Sequence, residues 1–222
     1  MACEKVLSEG TIGSLDEIRV RWRTNGSLQF NRTWSWRDDL CQCGGVLTDW
    51  SSHAIDYIGV LCESIFAKVS CSLNNSIKSR IDSQGSNKLV TAPDTLSLRG
   101  VMSNGFRVNV EITTVARGDL GHSINLIGSR DNFVVRATPP YRLSDMTYHL
   151  QRADRLIHKQ YAVLDSRHAS LVLLLDHFTS KISGSNEVKR LPTIADAKNV
   201  WLTLNAAQAS AKFQGQMLRT GI

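Results

Sequence analysis

GGVLTDWSSHAIDYIGVLCES, residues 44–64, carries the apolar spacing of a buried helix together with three polar side chains, Asp49, His53 and Asp56. At about 100° per residue those three fall within an arc of about 60°, while Leu47, Trp50, Ala54, Tyr57, Ile58 and Leu61 group on a neighbouring face. The spacing predicts a helix over 45–63. Two carboxylates and an imidazole along one edge of a packing helix are costly to bury unless they are satisfied or used. Function is therefore sought on this edge first.

Outward from the helix the pattern changes to period two. Over 16–23, Ile18, Val20 and Trp22 alternate with Arg19, Arg21 and Arg23, the mark of a strand with one wet side, most simply a solvated arginine stripe. Residues 65–73 alternate again, and 74–91 read as an exposed polar loop. Two further runs, 95–102 and 106–115, flank Ser103-Asn104-Gly105, which supplies the positive φ of a tight hairpin. A second pair lies at 122–127 and 133–137. Helices are predicted near 157–182 and near 194–216, the latter with Pro192 at its start. About six strands joined mostly by short turns, with no βαβ alternation, predict an α+β fold: an open, mostly antiparallel or mixed sheet with helices on one face. A single domain is expected over 1–222. The second sheet face is then available for subunit contact, so a homo-oligomer through that face is expected.

Charge and cysteine usage narrow the function classes. The formal charge of +6 comes from 26 basic and 20 acidic residues scattered along the chain, without like-charge blocks or aromatic–basic interleaving, so no nucleic-acid partner is expected. Five cysteines with no C-x-x-C pair point to a reducing compartment and a cytoplasmic protein. Cys41 and Cys43 read as two small buried thiols rather than a metal clip. The N-terminal segment lacks the basic and apolar regions of a secretory leader, and the apolar run 171–175 is far short of the ~18 residues of a membrane span. Neither G-x-G-x-x-G nor a P-loop occurs, and G-x-S-x-G and H-E-x-x-H are equally missing.

Ahead of the glycine pair, Trp34, Trp36 and Arg37 could wall a sugar-sized pocket, or could simply anchor a loop through indole burial. His122, in a predicted strand, could approach the same place from the sheet. A divalent metal on Asp49, His53 and Asp56 is geometrically open, because i, i+4 and i+7 side chains converge, but the donor supply is thin and no metal is expected.

The segments GTIGSLDEIRVRW (10–22), WSWRDD (34–39), GGVLTDWSSHAIDYIG (44–59), 94–105 and LIGSRDNFVV (126–135), in this order, resemble the C-terminal domain of the glucose–fructose oxidoreductase/inositol dehydrogenase/MocA family. The most specific part is G-G-x-L-x-D-x-x-x-H-x-x-D at 44–56. The resemblance implies the substrate-binding and oligomerisation domain of an oxidoreductase that uses NAD or NADP and acts on a sugar, polyol or related hydroxy compound. It makes His53 the acceptor of a substrate hydroxyl proton and Asp49 the residue that orients the substrate, and an imidazole titrating near neutrality suits that task. Substrate contacts are expected from Trp36, Arg37 and His122. The cofactor is expected to be held mainly by a Rossmann domain outside this chain, on a longer polypeptide or a separate subunit. The family's catalytic lysine is also absent here, so the isolated chain is expected to be inactive. Trp50-Ser51-Ser52 departs from the glycine that many relatives carry between the aspartate and the histidine. Two other readings stay open: a non-catalytic module for sheet-mediated interaction or sugar binding, and a metal-dependent hydrolase built on the Asp–His–Asp stripe.

Overall fold

The computed structural model describes residues 2–29, 31–139, 146–152, 156–159, 167–184 and 191–221. In chain order these form α1 (Ala2–Ser8), β1 (Leu15–Arg23), α2 (Ser51–Cys62), β2 (Phe66–Asn74), β3 (Ser79–Ile81), β4 (Asn87–Leu89), β5 (Thr95–Met102) and β6 (Arg107–Thr113). They continue with β7 (Gly121–Gly128), β8 (Asn132–Ala137), β9 (Thr147–Gln151), β10 (Leu156–Lys159), α3 (Arg167–Ile182), α4 (Ile194–Lys212) and β11 (Leu218–Arg219).

Nine of these strands make one sheet in the order β10-β9-β8-β7-β1-β6-β5-β2-β11, while β3 and β4 pair as a separate ribbon. β1 lies in the middle, parallel to β6 through Ile18↔Val108 and Val20↔Val110, and antiparallel to β7 through Val20↔Ile124. The other neighbours run antiparallel. The predicted α+β class with a mixed sheet therefore holds, but the count of about six is too low. The six predicted strands are all present. The additional sheet strands, β9, β10 and β11, span five, four and two residues, too short for an alternating pattern to stand out from its surroundings.

Two other expectations are corrected. The helix predicted from 157 begins at Arg167, because Leu156–Lys159 pairs with β9 as a strand. The stretch 74–91, read as loop, contains the β3–β4 ribbon.

The alternation in β1, β6 and β7 puts Ile18, Val20, Val108, Val110, Ile112 and Leu126 on one buried face. Onto this face α2 lays Ala54, Ile55, Ile58 and Cys62. It stops at Glu63, whose φ of +47 is left-handed and whose N–H reaches back to the Gly59 and Val60 carbonyls. α4 starts at a reciprocal cap, Thr193 accepting from Asp196 N and Asp196 accepting from Thr193 N at 2.8 Å. Its small buried residues Ala206, Ala207 and Ser210 bring it close to β2, where Ser210 Oγ accepts from Cys71 N at 2.9 Å.

The opposite sheet face is polar. Glu17 is nearly buried there, accepting from Arg19 Nε at 2.6 Å and from Asn109, and the Arg19 contact comes first in holding its carboxyl below the usual range. Asp119 gathers Arg21, Arg23 and Arg136 at one end of the same face. This is the arginine stripe predicted from the sequence.

Candidate active site

The two parallel strands β1 and β6 end on the same side of the sheet, and the chains leaving them must diverge, which opens a crevice between them. Ser27, just after β1, and Thr114, just after β6, hold its floor together: Ser27 N donates to Thr114 O, and their hydroxyls meet, both at 2.9 Å. The turn 36–38 forms one wall and 90–94 another, tied by Thr91 N and Ala92 N donating to Asp38 O.

Gly44 and Gly45 let the third wall close. A Cβ on Gly44 would lie 2.5 Å from Trp36 O, and one on Gly45 would lie 2.6 Å from Pro93 O. Gly45 also has φ +87, which L side chains rarely adopt. From there the chain makes a π-turn over Val46–Trp50 before settling into α2. The Thr48 hydroxyl donates back to Cys43 O and that of Ser51 to Leu47 O. Such turns insert a residue into the helical repeat, so the 100° spacing used for the sequence does not carry through Asp49.

Asp49 lies half-buried on this turn and accepts from Arg37 Nε at 3.2 Å. The Arg37 guanidinium stacks over the Trp36 ring at 4.4 Å. Behind them Asp38, with 5% of its side chain exposed, accepts from Arg32 Nη2 and from Arg80 Nε, each at 3.1 Å, and from Ser35 N at 3.0 Å. The cavity enclosed by these groups measures about 200 Å³, and its lining includes Arg32, Arg37, Asp38, Asp49, Trp50 and Arg80.

The predicted site residues are thus distributed unevenly. Arg37 and Asp49 are brought together on the cavity wall. His53 is exposed one turn further along the helix and does not line the cavity, and among the described residues its side chain has no hydrogen-bond partner. Trp36 is 41% exposed and supports Arg37 from outside the lining. His122 is placed away from the cavity, half-buried between Trp22 and Tyr57, with its Nε2 3.1 Å from Tyr57 Oη. Burial pushes its pKa down to about 4. Asp56 is exposed and borders a second cavity, of about 160 Å³, between α2 and α4.

Cys41 and Cys43, expected to be buried, are exposed thiols beside the turn, because residues 40–42 form a short 3-10 turn on the surface. No group of three His, Cys, Asp or Glu among the described residues is arranged to hold a metal. No described helix is long and apolar enough to cross a membrane. Sequence reasoning missed Arg32 and Arg80. Arg80 comes from the stretch read as a loop, and only folding brings it to Asp38.

Residues 1–134 match the family described as the GFO/IDH/MocA C-terminal domain. The chain belongs to that family. A protein of Synechocystis sp. (strain ATCC 27184 / PCC 6803 / Kazusa) described as an uncharacterized oxidoreductase is 31% identical over 136 residues, which are 59% of this chain and 36% of that protein. Among solved structures, an oxidoreductase domain protein from Kribbella flavida superposes with a TM-score of 0.80 at 20% identity, over 100% of this chain and 62% of that one. Levoglucosan dehydrogenase in complex with NADH and L-sorbose gives 0.80 at 21%, over 98% and 62%. A super-repressor mutant of Gal80p from Saccharomyces cerevisiae gives 0.77 at 15%, over 98% and 61%. The GFO/IDH/MocA C-terminal fold is therefore present, and the chain spans little more than a third of the curated relative and under two thirds of these structures.

Proposed function

We propose that this chain is the substrate-presenting domain of an oxidoreductase that oxidises a hydroxyl of a sugar, polyol or related compound, with NAD or NADP as hydride acceptor. The observation that carries this reading is the Arg37–Asp49 pair on the wall of a cavity of sugar size, with the accessible imidazole of His53 one turn away. A cavity of about 200 Å³ lies below the roughly 300–1,000 Å³ of pockets for drug-sized ligands. It fits one sugar ring and cannot enclose a dinucleotide. The sequence also lacks a glycine-rich phosphate loop, so the cofactor is assigned to a Rossmann domain outside these residues. That dinucleotide, when bound, supplies the site that accepts hydride.

The chain's own residues do the rest. Asp49, held by Arg37, accepts a hydrogen bond from a substrate hydroxyl and fixes the ring's orientation. His53 takes the proton of the hydroxyl being oxidised, a role that requires an imidazole free of other partners. The polar face of the sheet, with its arginine–carboxylate network, is the surface for pairing with a second copy. Five free cysteines fit a protein of the reducing cytoplasm.

The test is turnover of a full-length protein containing this region and its dinucleotide-binding domain. His53→Ala should lower kcat by about 10²–10⁴. Unchanged turnover removes His53 from the chemistry. A second reading, a binding module without catalysis, is favoured by the likeness to Gal80p, whose structure is that of a repressor variant. Ligand binding without turnover in that full-length protein would select it.

A further inference from the structure

Resting on the reading of this cavity as a substrate site, we propose that its ligand carries an anionic group beside its hydroxyls, as a sugar acid does, and that Arg37 and Arg32 receive that group. Three guanidinium groups line the cavity, and they are not equally spent. Arg80, with only 7% of its side chain exposed, uses every arm: Nε on Asp38, Nη1 on Arg32 O and Nη2 on Ser27 O. Arg32 gives Nη1 to Ser27 Oγ and Nη2 to Asp38, which leaves Nε. Arg37 gives only Nε, to Asp49, and stays 54% exposed. Among the described residues its Nη1 and Nη2 have no hydrogen-bond acceptor. An open guanidinium edge with parallel N–H donors matches the two oxygens of a carboxylate.

The pattern of ion pairing points the same way. Asp38 is one carboxylate shared by two arginines, and Asp49 answers Arg37. Asp94 also lines the cavity, but its carboxylate is taken up by Ser76 N at 2.6 Å and Ile77 N at 3.0 Å. The three arginines and three aspartates that line the cavity balance in formal charge, but only Asp38 contacts the Arg32–Arg80 pair, so two guanidinium groups share one carboxylate there. Burial, followed by the neighbouring Arg80 and Arg37 charges, lowers the pKa of Arg32 against the pull of Asp38. A ligand anion would relieve that cost. A neutral sugar would leave the same donors to water. Carboxylate and phosphate share this chemistry; the cavity's small volume favours the more compact carboxylate.

Titration calorimetry of the full-length protein containing this region with D-glucuronate, D-glucose and D-glucose 6-phosphate tests the assignment. D-glucuronate should bind at least about tenfold more tightly than D-glucose. Arg37→Gln should remove about that factor, and Arg37→Lys should restore part of it. Arg32→Gln, in which Arg80 still serves Asp38, provides a second variant and should also weaken D-glucuronate. Tighter binding of D-glucose 6-phosphate than of D-glucuronate would identify phosphate as the anion. Equal affinity for D-glucose and D-glucuronate, unmoved by Arg37→Gln, overturns the anionic ligand while the hydroxylated-substrate reading stands. If none of the three binds, the anionic ligand is overturned, while the hydroxylated-substrate reading is decided separately by the His53→Ala turnover test.

Discussion

α2 and α3 are written in the same apolar alphabet and end in opposite situations. α2 turns Ala54, Ile55, Ile58 and Cys62 onto the sheet and keeps His53 and Asp56 outside. α3 exposes Leu171, Val172, Leu173, Leu174, Leu175 and Phe178, none of them less than 42% exposed. Hydrophobic content says that a helix can bury area; the sheet beneath it decides whether it does. The difference separates a region whose side chains set stability from one whose side chains, within this chain, do not.

Four measurements break or sharpen that contrast. The largest effect is expected behind the α2 turn. Asp38→Ala leaves Arg80 buried and unpaired and should cost about 3–5 kcal/mol in denaturant unfolding. Next, Ile58→Ala removes a fully buried α2 side chain and should cost about 2–4 kcal/mol.

Third comes the pH dependence from His122, beneath α2. Its folded pKa of about 4 lies below the ordinary 6.5. Above 6.5 the group is neutral in both states and contributes no slope. As pH falls from 6.5 towards 4 the unfolded chain takes up a proton that the folded chain refuses, so stability should fall by about 3 kcal/mol and then level off. His122→Gln should flatten that segment of the stability profile. The smallest effect belongs to α3: Leu174→Ser should change stability by no more than about 0.5 kcal/mol. A loss there equal to that of Ile58→Ala would erase the contrast between the helices.

What the sequence made legible follows the same division. The six longer strands showed themselves because alternation over six to nine residues is a periodic signal, and the Ser103-Asn104-Gly105 turn appears with Gly105 at φ +93. β11, with two residues, carries no period at all. Arg37 and Asp49 were found because spacing within one segment, and the aromatic–guanidinium run ahead of the glycines, flagged them. Their cluster was not, since Arg32, Asp38 and Arg80 converge from either side of β2 through tertiary packing alone. The expected line of Asp49, His53 and Asp56 on one helical edge assumed an unbroken repeat. The π-turn takes Asp49 onto the cavity wall and leaves His53 beyond it. His122 does lie on a strand, β7, but under α2, where Tyr57 and Trp22 occupy the space a ligand would need.

The position of β1 also sets how the molecule can assemble. β2, β5 and β6 can zip together as one meander and β7 to β10 as another, each from neighbours close along the chain. The strand that joins the two halves comes from far upstream, and during synthesis it leaves the ribosome before either half exists. Its partners Val108 and Ile124 are each separated from it by most of a domain's length of chain, so the closing contacts have high contact order. Maturation of the sheet should therefore wait on one slow insertion, and a chain caught before it would expose the apolar edges of Val110 and Leu126 side by side with nothing between them.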